Sequence, residues 1–383
     1  MIRSFVFLLF LHVGSAFSQS TPTQIATGAQ QLNLLIPQLK GKQVGLVVNH
    51  TATINNTHLV DSLLKLKINV KKIFSPEHGF RGTADAGEKV ADAIDPKTKL
   101  PVVSLYGENR KPKPEQTRDL DVIVFDIQDV GVRFYTYIST LHYVMEACAE
   151  NGKKLIVLDR PNPNGHYIDG PVLDPSLKSF VGMHPVPIVH GMTIGEYAQM
   201  INGEGWLGDK KCDLTVIAIK NYTHRTSYSI PIKPSPNLPT DNAIAWYPSI
   251  CLFEGTVISV GRGTQNPFEI FGHPLTQNLQ YSFTPKSIKG MSTNPPYENE
   301  ACYGVDLRAA KAEKFTIKYL LLMFHLFPDK EKFFNTYFDK LAGTKSLQEQ
   351  IKNGLNEEKI KDSWKPGLDA FKETRKKYLI YPD

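Results

Sequence analysis

The chain has 383 residues, of which 41% are hydrophobic, 21% charged and 10% aromatic. That composition excludes a disordered chain, a collagen-like fibre and a polytopic membrane protein. Its 44 basic and 38 acidic residues leave a formal charge of +6, with no basic block longer than three residues. No nucleic-acid footprint is present and a small-molecule partner is expected.

In chain order, residues 1–18 read as a signal peptide. Arg3 supplies the positive start, residues 5–13 an apolar run interrupted only by His12, and Ala16 and Ser18 the small residues around a cleavage point near Ser18. The run is too short for a bilayer core of about 30 Å. The mature protein is therefore expected to be exported, periplasmic or extracellular, without stable membrane insertion. Cys148, Cys212, Cys251 and Cys302 are far apart and never form C-x-x-C, which suits buried thiols better than a disulfide framework.

Residues 44–48 read as a first buried strand, and residues 57–67 as a helix with Leu59, Leu63, Leu64 and Leu66 at helical spacing. Strands follow at 70–74, 102–106 and 122–127. Residues 134–151 carry Leu141, Val144, Met145 and Cys148 on one helical stripe, and Gly152 ends it. A fifth strand covers 155–158, Thr193 caps a helix over 194–201, and a last strand covers 214–219. Near-continuous apolar strands between helices predict a parallel sheet covered on both faces, an α/β Rossmann-like domain over residues 19–220. Pro231, Pro234, Pro236 and Pro239 then exclude a central strand. Mixed strand and loop sequence runs to Leu307, and helical runs follow at 317–327, 330–342, 346–353 and 357–374. Residues 221–383 are expected to form a smaller α+β domain that closes the cleft; two domains also suit the length, at about 150 residues each.

Ligands of an open parallel sheet sit outside the carboxyl ends of its strands. Here those ends read Asn49-His50-Thr51, then Ser75-Pro76-Glu77-His78-Gly79-Phe80-Arg81-Gly82 running on to Glu88, and Tyr106-Gly107-Glu108. The next two read Asp126-Ile127-Gln128-Asp129 continuing through Arg133, Tyr135 and Tyr137, and Asp159-Arg160-Pro161-Asn162. Every end is polar, which predicts a site on this edge. Two carboxyl groups facing one bond are what glycoside hydrolysis requires. Glu77 and Glu88, on one long turn, offer such a pair. Phe80, Tyr135, Tyr137 or Trp246 would supply an apolar face. His50 and His78 suit acid-base, hydrogen-bonding or structural roles, while Arg81, Arg133, Arg160 and Arg262 suit an anionic substrate. Asn49, Gln128, Asp129 and Asn162 complete the candidate substrate-binding set. No H-E-x-x-H, G-x-G-x-x-G or P-loop is present, so neither metal nor cofactor is expected.

Together the stretches 75–82, 126–137, 159–165 and 261–264 are similar to the NamZ-type exo-β-N-acetylmuramidase family, long of unknown function and grouped as glycoside hydrolase family 171. The resemblance runs from Val44 into the C-terminal helices. It implies a cofactor-free Rossmann-like domain, a smaller C-terminal domain and a site between them. It further implies removal of terminal N-acetylmuramic acid from the non-reducing ends of peptidoglycan fragments, with catalytic glutamates falling on Glu77 and Glu88. On that reading Glu77 is the first choice for the proton donor, with Glu88 or Asp126 as the second carboxylate. The partners are then peptidoglycan-derived N-acetylmuramic acid saccharides, whose lactyl carboxylate would meet an arginine; a homodimer is compatible with this. Two other readings stay open, a non-catalytic exported muropeptide-binding protein and a metal-dependent amide or ester hydrolase.

Overall fold

Short runs of β-branched and aromatic residues, each followed by a helix or a long loop, assemble into one large sheet. The computed structural model describes residues 24–77, 79–80 and 92–383. In chain order the first half contains α1 (Leu32–Leu39), β1 (Val44–Val48), β2 (Thr53–Ile54), β3 (Thr57–His58), α2 (Leu59–Lys65), β4 (Val70–Ser75), β5 (Ala93–Ile94) and β6 (Pro101–Ser104). It continues with α3 (Pro114–Thr117), β7 (Val122–Asp126), α4 (Tyr137–Asn151), β8 (Lys154–Leu158), α5 (Ile194–Gly203) and β9 (Asp213–Ile217). The sheet order is β5-β6-β4-β1-β7-β8-β9. All neighbours run parallel except the edge strand β5, which lies antiparallel to β6. The sheet is therefore mixed rather than wholly parallel.

Alternation along the strands sends successive side chains to opposite faces. Ile123 and Phe125 join one buried cluster while Val122 and Val124 join the other. Both faces are covered, as the near-continuous apolar strands require. Two helix starts differ from the periodicity. Residues 57–58 pair with β2 as a hairpin, and α2 begins after them, with His58 Nδ1 accepting from Val60 N at 3.2 Å. At α4 the apolar stripe overruns the helix: residues 134–136 lie in a turn that Tyr135 N closes on Val132 O. Gly152, with φ of 59°, ends α4 as expected.

The second half contains α6 (Asp241–Ile250), β10 (Ile270–His273), β11 (Tyr281–Phe283), β12 (Cys302–Asp306), α7 (Lys318–Leu326), α8 (Phe338–Ala342), α9 (Ser346–Lys352) and α10 (Glu357–Lys376). β10, β12 and β11 form an antiparallel sheet in that order. Helix α6 falls where mixed strand and loop was expected; Thr240 Oγ1 caps it by accepting from Ala243 N. The helical run expected over 330–342 is broken. Residues 333–334 run beside 256–257, Val257 N donates to Phe333 O, and Asn335 N donates to Gly255 O. Burying the Phe333 ring fixes that detour.

Arg133 ties the halves together. It is fully buried, and Nη1 donates to Pro171 O at 2.7 Å and Val186 O at 2.8 Å. Nη2 donates to Leu341 O at 3.0 Å and Ala342 O at 2.7 Å, the last carbonyls of α8. Those carbonyls have no partner within the helix, and their dipoles favour a cation. Gly343 follows at φ of 76°, where a Cβ would come within 2.3 Å of Arg133 Nη2. Burial pulls the guanidinium down to about 9. The expectation that Arg133 binds substrate is thus corrected: four hydrogen bonds commit its Nη atoms to backbone, and its buried Nε has no hydrogen-bond partner among the described residues. Arg133→Met should lower stability by about 3 kcal/mol or more by orphaning the Pro171, Leu341 and Ala342 carbonyls, Val186 O keeping Leu173 N as a donor, measured by denaturant unfolding, with Arg133→Lys recovering part of the loss.

Candidate active site

Strand β1 lies between β4 and β7, and the strand order reverses direction there. This is the switch point at which open sheets take ligands. Here it is filled. Asp126 is fully buried and receives Arg160 Nε at 2.5 Å and Nη2 at 2.9 Å. Burial opposes the Arg160 charge, yet Asp126 holds the guanidinium above its usual range. Asn49 Nδ2 donates to Tyr137 Oη at 2.9 Å, and its Oδ1 accepts from Thr51 N and Oγ1. Gln128 Nε2 donates to Asp129 O and Pro161 O. Asn162 Nδ2 donates to Met192 O, and its amide packs so closely on Gly131 (φ 75°) that a Cβ there would sit 2.1 Å from Oδ1. The proline-rich segment crosses this edge: the Lys233 carbonyl meets His50 Nε2 at 2.8 Å, and the Pro234 carbonyl accepts from Tyr135 Oη at 2.7 Å.

These contacts correct several expectations. Asp126 is committed to Arg160 and does not line the cavity described next. Asn49, His50, Gln128, Asp129, Arg160 and Asn162 likewise lie off its walls. Phe80 is buried edge-on against His58, and Trp246 donates to Ala310 O, so neither offers a sugar-facing ring there. His78, Arg81 and Glu88 lie outside the described residues.

Beyond this polar floor opens a cavity of about 400 Å³, with walls from both halves of the chain, a size typical of small-ligand sites. Glu77, Tyr135, Tyr137 and Arg262 line it, as the sequence suggested. Glu77 sits directly after β4, where Pro76 starts a turn that Gly79 N closes on Pro76 O. Tyr106 Oη donates to Glu77 Oε1 at 3.0 Å, and Thr136 Oγ1 donates to Oε2 at 3.3 Å. Burial, with Glu77 adding to it, holds the Tyr106 and Tyr137 hydroxyls above their ordinary range, so both stay protonated.

The sequence reading missed the rest of the lining. Glu254 lies on the short 3₁₀ turn after α6 and accepts from Arg262 Nε at 2.6 Å. Arg262 in turn sits over the Phe268 ring at 5.2 Å. Arg110 lies over Phe180 at 4.3 Å and donates to Gly107 O; Lys340 comes from α8. Among the described residues neither Arg110 nor Lys340 has an ion-pair partner. Tyr337 also lines the cavity, and burial, with Cys251, Glu254 and Glu77 nearby, pushes its hydroxyl up to about 12. Tyr106 and Glu108 already marked a polar strand end, which was the signal for Arg110. Glu254 had none, because α6 was not recognised. Among the described residues no group of three His, Cys, Asp or Glu is placed to hold a metal ion.

Residues 44–242 match the family model described as exo-β-N-acetylmuramidase NamZ, N-terminal, and residues 245–381 match its C-terminal counterpart. The peptidoglycan β-N-acetylmuramidase NamZ of Bacillus subtilis strain 168 is 42% identical over 369 residues, spanning 90% of this chain and 88% of that one. Two crystal structures of DUF1343 family proteins from Bacteroides fragilis NCTC 9343 share the fold. One has a TM-score of 0.88 at 47% identity, covering 94% of this chain and 100% of the other. The second has a TM-score of 0.80 at 32% identity, covering 93% and 99%.

Asp129, beneath the cavity, offers a pH test. Its Oδ1 accepts from Gly131 N at 2.7 Å, while among the described residues Oδ2 is buried without a hydrogen-bond partner. Burial lifts the carboxyl from 3.8 to about 7, with the Gly131 and Val130 amides acting the other way. Across that window the folded chain holds a proton that the unfolded chain has lost. The contribution of this carboxyl to stability should therefore fall as pH rises from about 4 to about 7, by up to about 1.4 kcal/mol per pH unit, and then level off. Asp129→Asn should remove that contribution, so that in denaturant melts the variant's stability relative to wild type is higher at about pH 8 than at about pH 5.

Proposed function

The chain belongs to the exo-β-N-acetylmuramidase NamZ family, and from that premise we propose that it is an exo-acting glycoside hydrolase with Glu77 as its general acid. It removes non-reducing terminal β-1,4-linked N-acetylmuramic acid from peptidoglycan fragments. The observation that carries this reading is the cavity itself. One carboxyl group, held by two hydroxyls, faces an aromatic-walled space large enough for a single amino sugar.

The hydroxyl pair suits a group that changes protonation state during turnover. Tyr106 and Thr136 donate when Glu77 is ionised; by rotating about their C–O bonds they accept when it carries the proton. Either state therefore keeps the carboxyl aimed at the same point. Tyr135, Tyr137, Tyr247 and Phe268 supply apolar faces for a sugar ring. Arg110 and Lys340, both exposed and without a carboxylate partner among the described residues, suit the acidic lactyl group or the acidic peptide stem.

We further infer that the protein is exported, with residues 1–18 as the signal peptide. This rests on the charged start and short apolar run, and on a substrate that belongs to the cell wall. Those residues lie outside the described ones; among the latter no helix is long and apolar enough to cross a membrane.

Glu77→Gln keeps the shape and removes the transferable proton. On a muramyl–glucosaminyl disaccharide its kcat should fall at least about 100-fold with KM little changed. Near wild-type turnover would refute the acid assignment, and saturable binding without turnover by the native protein would leave only a muropeptide-binding role. Arg110→Ala should raise KM for an aryl β-N-acetylmuramide about tenfold, a loss of about 1.4 kcal/mol. KM for the matching N-acetylglucosaminide, which lacks the lactyl acid, should change little.

A further inference from the structure

Among the described residues Tyr337 is the most exposed of all the phenylalanines, tyrosines and tryptophans, at 39%. The other rings named along the cavity, Tyr135, Tyr137, Tyr247 and Phe268, are each more than nine-tenths buried. A single open ring needs no explanation by itself. This one differs because it borders the cavity that holds Glu77 and because its backbone is fastened on both sides.

Asn335 fastens the upstream side. Its Nδ2 donates to Glu254 O at 3.2 Å and Thr256 O at 3.3 Å, and its N donates to Gly255 O at 3.0 Å. Its Oδ1 accepts from Tyr337 N at 2.8 Å. Downstream, Tyr337 O accepts from Leu341 N at 3.2 Å across α8, whose far end Arg133 holds. A ring carried on such a turn gives up little further freedom when a ligand covers it.

The cavity has room for one amino sugar, and the buried rings enclose that sugar. Whatever the sugar is joined to has to leave through the open side. Glu77, as proton donor, marks the glycosidic oxygen, the boundary between the enclosed sugar and the departing one. Tyr106, which donates to Glu77 at 3.0 Å, also feels the Tyr337 hydroxyl. The open ring therefore stands on the departing side of that boundary.

Resting on the muramidase reading above, we propose that Tyr337 is the platform for the departing sugar, its ring stacking on the N-acetylglucosamine joined to the terminal muramic acid. In a β-linked glucosamine the ring hydrogens are axial and the polar substituents equatorial, so each flat face presents C–H bonds. The negative face of an aromatic ring attracts them. The contact is made before and during bond breaking alike, so its loss is felt in KM rather than in kcat.

Two competitive inhibitors of aryl β-N-acetylmuramide turnover separate the two sugars: free N-acetylmuramic acid, and a sulfur-linked muramyl–glucosaminyl disaccharide that resists cleavage. In Tyr337→Ala the preference for the disaccharide over the monosaccharide should fall about tenfold. Tyr337→Phe should restore it, because stacking uses the ring and not the hydroxyl. On the cleavable disaccharide Tyr337→Ala should raise KM about tenfold. Tyr337→Leu serves if the alanine variant does not fold. An unchanged preference overturns the proposal, and so does an equal loss for both inhibitors, which places the ring at the enclosed sugar or in the fold alone. A phenylalanine variant as weak as alanine overturns it too, since the hydroxyl is then the contact. Failure of the underlying reading looks different: the native protein then releases no muramic acid from either substrate, or Glu77→Gln turns over like wild type.

Discussion

The Asp126–Arg160 ion pair occupies the crevice between β1 and β7, where an open α/β sheet ordinarily receives its ligand. Both groups are buried, and removing either would strand the other charge away from water, at a cost of about 3–5 kcal/mol. Around them Asn49, Thr51, Gln128 and Asn162 spend their polar atoms on one another and on backbone. The proline-rich segment lies across the top, fastened by His50 and Tyr135. With the usual crevice closed, the binding space is displaced outward. It uses the turn after β4, the start of α4, and a wall borrowed from the second half of the chain.

A cavity shared between two halves works only if they are held in register. Arg133 does this by reaching from the loop before α4 to the C-terminal end of α8, the helix that carries Lys340 to the cavity. The C-terminal tail adds a second fastening. Tyr381 Oη donates to Asp159 Oδ2 at 2.6 Å, and the Ile380 and Tyr381 amides donate to Glu196 Oε1. Both fastenings are polar and buried, which gives them direction as well as strength: a guanidinium fork or a carboxylate accepts its partners at few angles. Greasy contact alone would let the halves slide by fractions of an ångström, and acid–base geometry tolerates little of that.

Among the described residues two carboxylates, Glu77 and Glu254, line the cavity, in unlike surroundings. Hydroxyls that can reverse their hydrogen bonds hold Glu77, whereas a guanidinium holds Glu254. The aromatic rings between them, with their hydroxyls kept protonated by burial, add donors without adding charge.

Local pattern was enough to establish the α/β class, most strands of the large sheet, the α4 stop at Gly152 and the cap at Thr193. Strand alternation and capping depend on neighbours a few residues away. It was also enough to select Glu77, because a polar strand end beside proline and glycine is a local signature, and the NamZ-type motifs are contiguous. Which polar residues face the ligand was not local. Asp126, Arg133 and Arg160 look like site residues in one dimension, yet Asp126 and Arg160 pair with each other across 34 positions and Arg133 donates to backbone carbonyls 38 to 209 positions away. Glu254, Arg110 and Lys340 look like ordinary surface charges until the second half folds over the first. A side chain's chemistry is written in its own atoms; whether that chemistry is spent on the protein or left for a substrate depends on what the fold brings within 3 Å, and only the tertiary structure decides that.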